Sequence, residues 1–394
     1  MDLAACRRSL VVIVVGLIAA ASVLGGWVEL IVAADQPPID FQRARGLLER
    51  ERRGEKLSTE EQQYLNRARE ARRQGMSEGR GQGPITPKDS VGLVPLCDLT
   101  GDERYKGEDG GLYGHGQNSP PEAHRRAAEA ELARIQPLNA QGQPAKDGKV
   151  VLVSISMSNA TQEFSVFKRL ADAAPQKSPL LTIVDCAQGG QAMAEWAERK
   201  GGPWTEADRR LAAAGVSPSQ IQTAWIKLAN KGPRGDLAEH GKQLQRDTLA
   251  VLHNAKARFP NLRVTYLSSR IYGGYAATPL NPEPYAYESA FAARWLILDQ
   301  MKGDATLNFD PSRGEVKAPL LLWGPYLWAD GATPRKADGL VWKRDDLGND
   351  GTHPSLTGRE KVAKLLLEFF KTSPLAKPWF VAAPARNEAP STGR

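Results

Sequence analysis

Lys149-Val150-Val151-Leu152-Val153-Ser154-Ile155, running directly into Ser156-Met157-Ser158-Asn159, is the stretch on which the fold turns. Its first seven residues form a short apolar run rich in β-branched side chains, as expected of a strand covered on both faces. A helical pattern follows from Thr161 to Ala173. Further along, Leu180 to Val184, Ile221 to Leu228, Leu262 to Leu267 and Pro319 to Trp323 repeat the strand pattern, with helical stretches at Gln191 to Lys200 and Leu237 to Arg258 between them. Upstream, Pro120 to Ile135 reads as a short helix with proline near its start. This alternation predicts an α/β fold with a central parallel sheet covered on both faces. In such sheets, functional side chains collect in the loops at the carboxyl ends of the strands.

Those strand ends supply a chemical set. The first delivers Ser158 and Asn159, the second Gly189-Gly190-Gln191, the third Trp225 to Asn230, including Lys227, and the end of the domain Asp350-Gly351-Thr352-His353-Pro354-Ser355. A carboxylate that holds one imidazole nitrogen leaves the other free to take a proton from a hydroxyl nucleophile, so Asp350 and His353 fit the orienting acid and the base. A serine between strand and helix lies near free backbone N–H groups and the positive end of the helix dipole, where negative charge on a carbonyl oxygen is stabilised. Gly189 and Gly190 permit close backbone approach, and Lys227 or Asn230 stands ready to donate from the third strand end. Ser158 alone also fits a helix cap, and His353 alone a solvated turn. Tyr113 and His115 sit on the glycine-rich loop Gly107 to Asn118, where they either line a pocket or do ordinary loop duty. His240 and His253 lie on a helical stretch and read as solvated.

In this order the blocks resemble those of the SGNH (GDSL-type) hydrolases, with the sialate O-acetylesterase and carbohydrate acetyl esterase branch the nearest in pattern. Met157-Ser158-Asn159 resembles that branch's nucleophile block, Gly189-Gly190-Gln191-Ala192-Met193-Ala194-Glu195-Trp196 its Gly-Gly block, and Asp350-Gly351-Thr352-His353 its terminal Asp-x-x-His. The resemblance spans about Lys149 to Lys371. It implies a three-layer α/β/α sandwich of flavodoxin-like topology and a serine ester hydrolase acting on small acyl groups of carbohydrate. Ser158 would be nucleophile, His353 base and Asp350 orienting acid, with Ser158, Gly189, Gly190 and either Asn230 or Lys227 around the oxyanion. Asn159, Gln191, Trp225, Tyr113 and His115 would meet substrate, and no cofactor or metal is called for. Three departures stand out: Ser156 replaces the glycine that opens the nucleophile block, which makes it an alternative nucleophile, Lys227 replaces the glutamine of the third block, and the segments Val91 to Asp147 and Tyr272 to Leu347 are longer than a minimal member of the fold needs. The alternative function is a non-catalytic glycan-binding protein of the same fold.

Composition sets the surroundings. The 394 residues suffice for one large domain with appendages, and the net charge of +7 arises from arginines crowded in the N-terminal quarter, so nucleic acid is not an expected partner. Residues 1–34 read as an export signal. Arg7 and Arg8 precede the apolar Leu10 to Leu24, and Val32-Ala33-Ala34 provides small residues for cleavage, the alternative being an uncleaved membrane anchor. The protein is expected in the periplasm or outside the cell. Residues 35–90 read as a charged helical region, with Ser58 or Thr59 as a helix cap, then a linker carrying four glycines and two prolines between Gln74 and Pro87. The enzyme-like domain is expected over 91–376 and a disordered tail over 377–394. Asp345, Asp346, Asn349 and Asp350 crowd one turn, but not at the spacing of a calcium loop. Of three cysteines, Cys97 and Cys186 would remain after signal removal, either bridged or as buried thiols.

Overall fold

The computed structural model describes residues 40–52, 55–77 and 86–382, so the proposed signal lies outside the described residues. The chain divides into two compact units, Met1–Gln74 and Gly75–Arg394. In the first, helices α1 (Phe41–Arg52) and α2 (Thr59–Ser77) enclose a small cluster of Ala44, Leu47, Leu65 and Ala68. Ser58 caps α2: its Oγ accepts the Glu61 N–H at 3.2 Å while the Glu61 carboxylate accepts the Ser58 N–H at 2.9 Å, a reciprocal capping box. Among the described residues no helix is long and apolar enough to cross a membrane.

The second unit is built on five parallel strands: β1 (Val150–Ile155), β2 (Leu181–Asp185), β3 (Ile221–Lys227), β4 (Val264–Ser268) and β5 (Leu320–Trp323), in the order β2-β1-β3-β4-β5. Every residue of β1, β3, β4 and β5 is buried, which is why these strands read as mostly apolar runs without alternation to a polar face. Helices cover both faces in a three-layer sandwich. α4 (Ser158–Asp172) packs with α9 (Leu356–Thr372), and the short α10 (Lys377–Phe380) closes that layer. There Trp225 stacks on Phe164 at 5.5 Å, and Tyr266 meets Phe370 edge-on. α7 (Lys242–Arg258) packs between α5 (Met193–Ala197) and α8 (Tyr285–Lys302), while α6 (Gly202–Ala213) lies against β2 and α3 (Glu122–Leu132) touches β4 and β5. Strand order reverses at β1, between β2 and β3, and the crevice at such a point is where ligands of open α/β sheets bind.

The long segments flanking the sheet have structural roles. α8 is buried without interruption from Ala286 to Ile297, and the segment before α3 is clamped onto it. Glu288 of α8 accepts bonds from Tyr105 Oη at 2.6 Å and Lys106 Nζ at 2.7 Å, and also pairs with His240. Arg294 binds the Glu108 carboxylate at 2.6 Å. His240 is therefore buried, contrary to the solvated position expected, because its ring is the nearest donor to a buried carboxylate.

Both domain edges differ from the sequence reading. Lys88 N–H bonds the Gly274 carbonyl at 2.9 Å and Ser90 Oγ reaches Asp330 at 2.5 Å, so chain before residue 91 already belongs to the folded unit. At the other end, residues 377–382 are not a disordered tail. Trp379 and Phe380 are buried against Tyr266 and Phe370, and Ala382 N–H bonds the Gln176 carbonyl at 2.9 Å. Residues 383–394 lie outside the described residues. Cys97 and Cys186 are separate buried thiols, not a bridge. Burial pushes Cys97 up to about 12 and Cys186 further, which leaves both protonated and inert.

Candidate active site

β1 ends at Ile155, and the chain turns through Ser156 and Met157 into α4, whose first residue is Ser158. Ser156 is fully buried, with its hydroxyl bonded to the Lys227 carbonyl and its own carbonyl accepting from Trp196 Nε1 at 3.1 Å. This removes Ser156 as an alternative nucleophile. Ser158 is one turn too early for its N–H to find a helical carbonyl, so that group remains free at the positive end of α4.

Ser158 Oγ lies 2.8 Å from His353 Nε2, and His353 Nδ1 lies 2.5 Å from Asp350 Oδ2. A carboxylate can only accept, so the proton sits on Nδ1, and Nε2 presents its lone pair to the serine hydroxyl. Asp350 Oδ1 accepts the backbone N–H groups of Thr352 and His353, both at 3.0 Å. Burial raises the Asp350 carboxyl, but the bonds from the His353 ring and these two N–H groups outweigh it and hold the group below its usual range. The pair stays accessible, with the His353 side chain 28% and the Asp350 side chain 38% exposed.

The terminal turn is fixed from three sides. Gly351 has φ +64°, and a Cβ there would fall 1.7 Å from the Tyr275 carbonyl oxygen, so only glycine fits. Ser355 Oγ caps α9 through the Gly358 N–H. Asn159, which the resemblance assigned to substrate, is 1% exposed and donates Nδ2 to the Thr352 carbonyl at 2.8 Å. It ties the helix that carries Ser158 to the turn that carries His353.

Loops after β2 and β3 converge on the same edge. Gln188 N–H bonds the Ser156 carbonyl at 2.9 Å, and Met193 N–H bonds the Ala229 carbonyl at 3.0 Å. Gly190 between them is exposed, with φ +80° and open space where a Cβ would stand. Gly189 and Gln191 beside it are half-buried. Lys231, which the sequence did not single out, holds this loop: its Nζ reaches the Gly190 carbonyl at 2.9 Å and Glu195 at 2.6 Å.

Asn230 and Lys227 are now separable. Asn230 Oδ1 accepts the Ala194 N–H at 2.8 Å, and Nδ2 gives one hydrogen to Asp247 at 2.5 Å. These partners fix which way the amide points, and its second N–H remains to donate. Lys227 is wholly buried and donates to both oxygens of Glu163, each at 2.6 Å. The expectation of an oxyanion contact from Lys227 is corrected on that ground. Burial pulls Lys227 down to about 8 and pushes Glu163 up, while each partner's charge opposes the other's shift. Lys227→Met at pH 7 is expected to cost about 3–5 kcal/mol by stranding a buried carboxylate, whereas Lys227→Met with Glu163→Leu recovers most of that. Guanidinium unfolding of the three proteins checks this; equal losses in the single and double variants would contradict it.

Trp225, Tyr113 and His115 are held by other parts of the fold. Trp225 is fully buried beneath Phe164, within the sheet layer. Tyr113 is 5% exposed and packs on His124 of α3. His115, at φ +51°, projects into solvent with its side chain 96% exposed, near Asp109. Among the described residues no cluster could hold a metal ion. Two charged residues the sequence reading passed over lie beside the site, Glu163 and Arg270. Glu163 was detectable in principle, as an acid on the apolar stripe of Ala160, Phe164 and Phe167.

No family model matches the sequence, and no curated protein matches it. Solved structures with partial likeness include the periplasmic domain of a lipopolysaccharide acetyltransferase from Salmonella ser. Paratyphi A, at 14% identity and TM-score 0.30, covering 62% of this chain and 95% of that one. A candidate acylhydrolase from Bacteroides fragilis matches at 13% identity and TM-score 0.30, covering 62% and 93%. A candidate platelet activating factor from Streptococcus pneumonia matches at 11% identity and TM-score 0.31, covering 62% and 92%. Likeness at that level leaves the functional reading to the side chains of this chain.

Proposed function

We propose that the protein is an exported serine ester hydrolase of the SGNH type that removes small acyl groups, acetyl foremost, from carbohydrate through an acyl-enzyme. The observation that carries this reading is the continuous line from Ser158 Oγ through both nitrogens of His353 to Asp350. As Ser158 Oγ attacks the ester carbonyl carbon, its proton passes to His353 Nε2. The carbonyl oxygen takes the electron pair and lies among the N–H groups of Ser158, Gly190 and Asn230 Nδ2. His353 then returns the proton to the leaving alcohol oxygen, and the acyl group stays on Ser158. Water, giving a proton to His353, attacks the acyl-enzyme, and the acid departs as Ser158 recovers its hydrogen.

Acetyl and carbohydrate are suggested by the block resemblance, and export by Arg7, Arg8, the apolar Leu10 to Leu24 and Val32-Ala33-Ala34. The decisive experiment is covalent capture. A fluorophosphonate should add once per chain, and peptide mass mapping should place it on Ser158. An inert Ser158 under conditions that label a known serine esterase, together with saturable binding of glycans, would instead favour the non-catalytic reading.

A further inference from the structure

Gly190 supplies the backbone donor on the β2 side of the site, and little within its own turn holds it. It is the third residue of the turn from Gln188 to Gln191, with φ +80° as a type II turn requires. The bond that closes the turn, from the Gln191 N–H to the Gln188 carbonyl, measures 3.3 Å, which is long for its kind. Gly190 lies exposed, with nothing within 4 Å of where a Cβ would stand. Glycine backbone so placed turns freely, yet a donor lowers a barrier only if it is aimed before charge develops on the carbonyl oxygen.

Support comes from the neighbouring loop. Lys231 Nζ donates to the Gly190 carbonyl at 2.9 Å, and the same ammonium pairs with Glu195 at 2.6 Å. Glu195 is itself fixed, because its other oxygen accepts the Ala192 N–H at 2.8 Å at the start of α5. Lys231 directly follows Asn230, whose Oδ1 accepts the Ala194 N–H at 2.8 Å. One ammonium thus joins the turn that carries Gly190 to the residue beside the second donor. The Lys231 and Glu195 side chains are 46% and 32% exposed, and an ion pair in that setting adds little to stability. Its effect belongs in the rate.

We infer that Lys231 is a positioning residue of the esterase site: its ammonium, braced by Glu195, clamps the Gly190 carbonyl and so keeps the Gly190 N–H aimed at the oxyanion. It acts through Gly190 and touches neither substrate nor the reacting atoms. The inference rests on the serine esterase reading. Because the oxyanion exists only during the reaction, loss of the clamp lowers kcat and leaves KM alone.

The test compares Lys231→Met and Lys231→Arg with wild type in p-nitrophenyl acetate turnover, fluorophosphonate labelling and backbone hydrogen exchange. Lys231→Met removes the donor and keeps an apolar stem. Its kcat should fall about tenfold, a part of the roughly hundredfold or more that loss of a whole oxyanion donor costs, with KM unchanged. Labelling of Ser158 should slow by about the same factor, since it develops the same oxygen charge. Hydrogen exchange across residues 187–193 should rise while the melting temperature holds. Lys231→Arg keeps a charged donor and should recover kcat to within about threefold of wild type. In an Asn230→Ala background the loss caused by Lys231→Met should persist; its disappearance would mean that the lysine acts through Asn230 and would overturn the inference. A rise in KM at constant kcat would place Lys231 against substrate, and unchanged exchange would show that it does not hold the turn. Either result overturns the inference, as does a Lys231→Arg variant as slow as Lys231→Met. If wild type neither turns over esters nor takes the label, the esterase reading fails instead, while hydrogen exchange still reports on the clamp.

Discussion

Replacing Ser158 by alanine is expected to lower kcat for p-nitrophenyl acetate by about five to six orders of magnitude, leaving only what the oxyanion donors and binding supply. The size of the loss follows from the geometry. His353 Nε2 has the Ser158 hydroxyl at 2.8 Å as its proton source, and the neighbouring hydroxyl of Ser156 is buried and bonded to the Lys227 carbonyl. Ser156 is therefore not placed to take over. The fold should be untouched, because the methyl group occupies space already filled by Cβ, and Asn159 continues to tie α4 to the Thr352 carbonyl. Stopped-flow turnover and thermal melting read the two properties separately. An alanine variant that keeps wild-type turnover would remove Ser158 from the chemistry.

The sequence showed the sheet more clearly than the helices around it. Five runs matched the five strands because strands buried on both faces are mostly apolar and lack the alternation of a half-exposed strand, a signal independent of partners. α8 escaped notice for the same physical reason: buried continuously from Ala286 to Ile297, it has no polar face and so no helical period to detect. At the site, Ser158, Asp350 and His353 were legible because their chemistry is bound to local motifs. Lys227 was misjudged because its partner Glu163 lies 64 residues away on α4, and the pairing exists only once β3 packs beneath that helix. Trp225 failed as a substrate contact for a related reason: strand position fixes which face a side chain takes, and its face is covered by Phe164. Asn159 shows the reverse error, a polar residue beside the nucleophile whose amide turns inward to hold the histidine's turn.

Asp350→Asn should then be nearly silent in the fold and severe in the chemistry. The amide oxygen can replace Oδ1 in accepting the N–H groups of Thr352 and His353, so the terminal turn keeps its two bonds at 3.0 Å. What changes is the group facing His353 Nδ1. Oriented this way, the asparagine presents NH2, a donor, where Asp350 Oδ2 accepted, and the imidazole responds by placing its proton on Nε2. In that tautomer Nε2 cannot take the Ser158 proton, and kcat is expected to fall by about three to four orders of magnitude at neutral pH. The pH dependence carries a further sign. Hydrogen bonds hold the Asp350 carboxyl below its usual range, so in wild type the catalytic form, and any stability this charge contributes, are present above the ordinary carboxylate range. Both are lost only as pH falls through the lowered value. The asparagine variant has no such group, so the part of the acid limb that belongs to Asp350 should vanish while the melting temperature at neutral pH stays close to wild type. Retention of activity within tenfold of wild type would mean that the carboxylate does not orient His353, and would return Asp350 to the role of a polar turn residue.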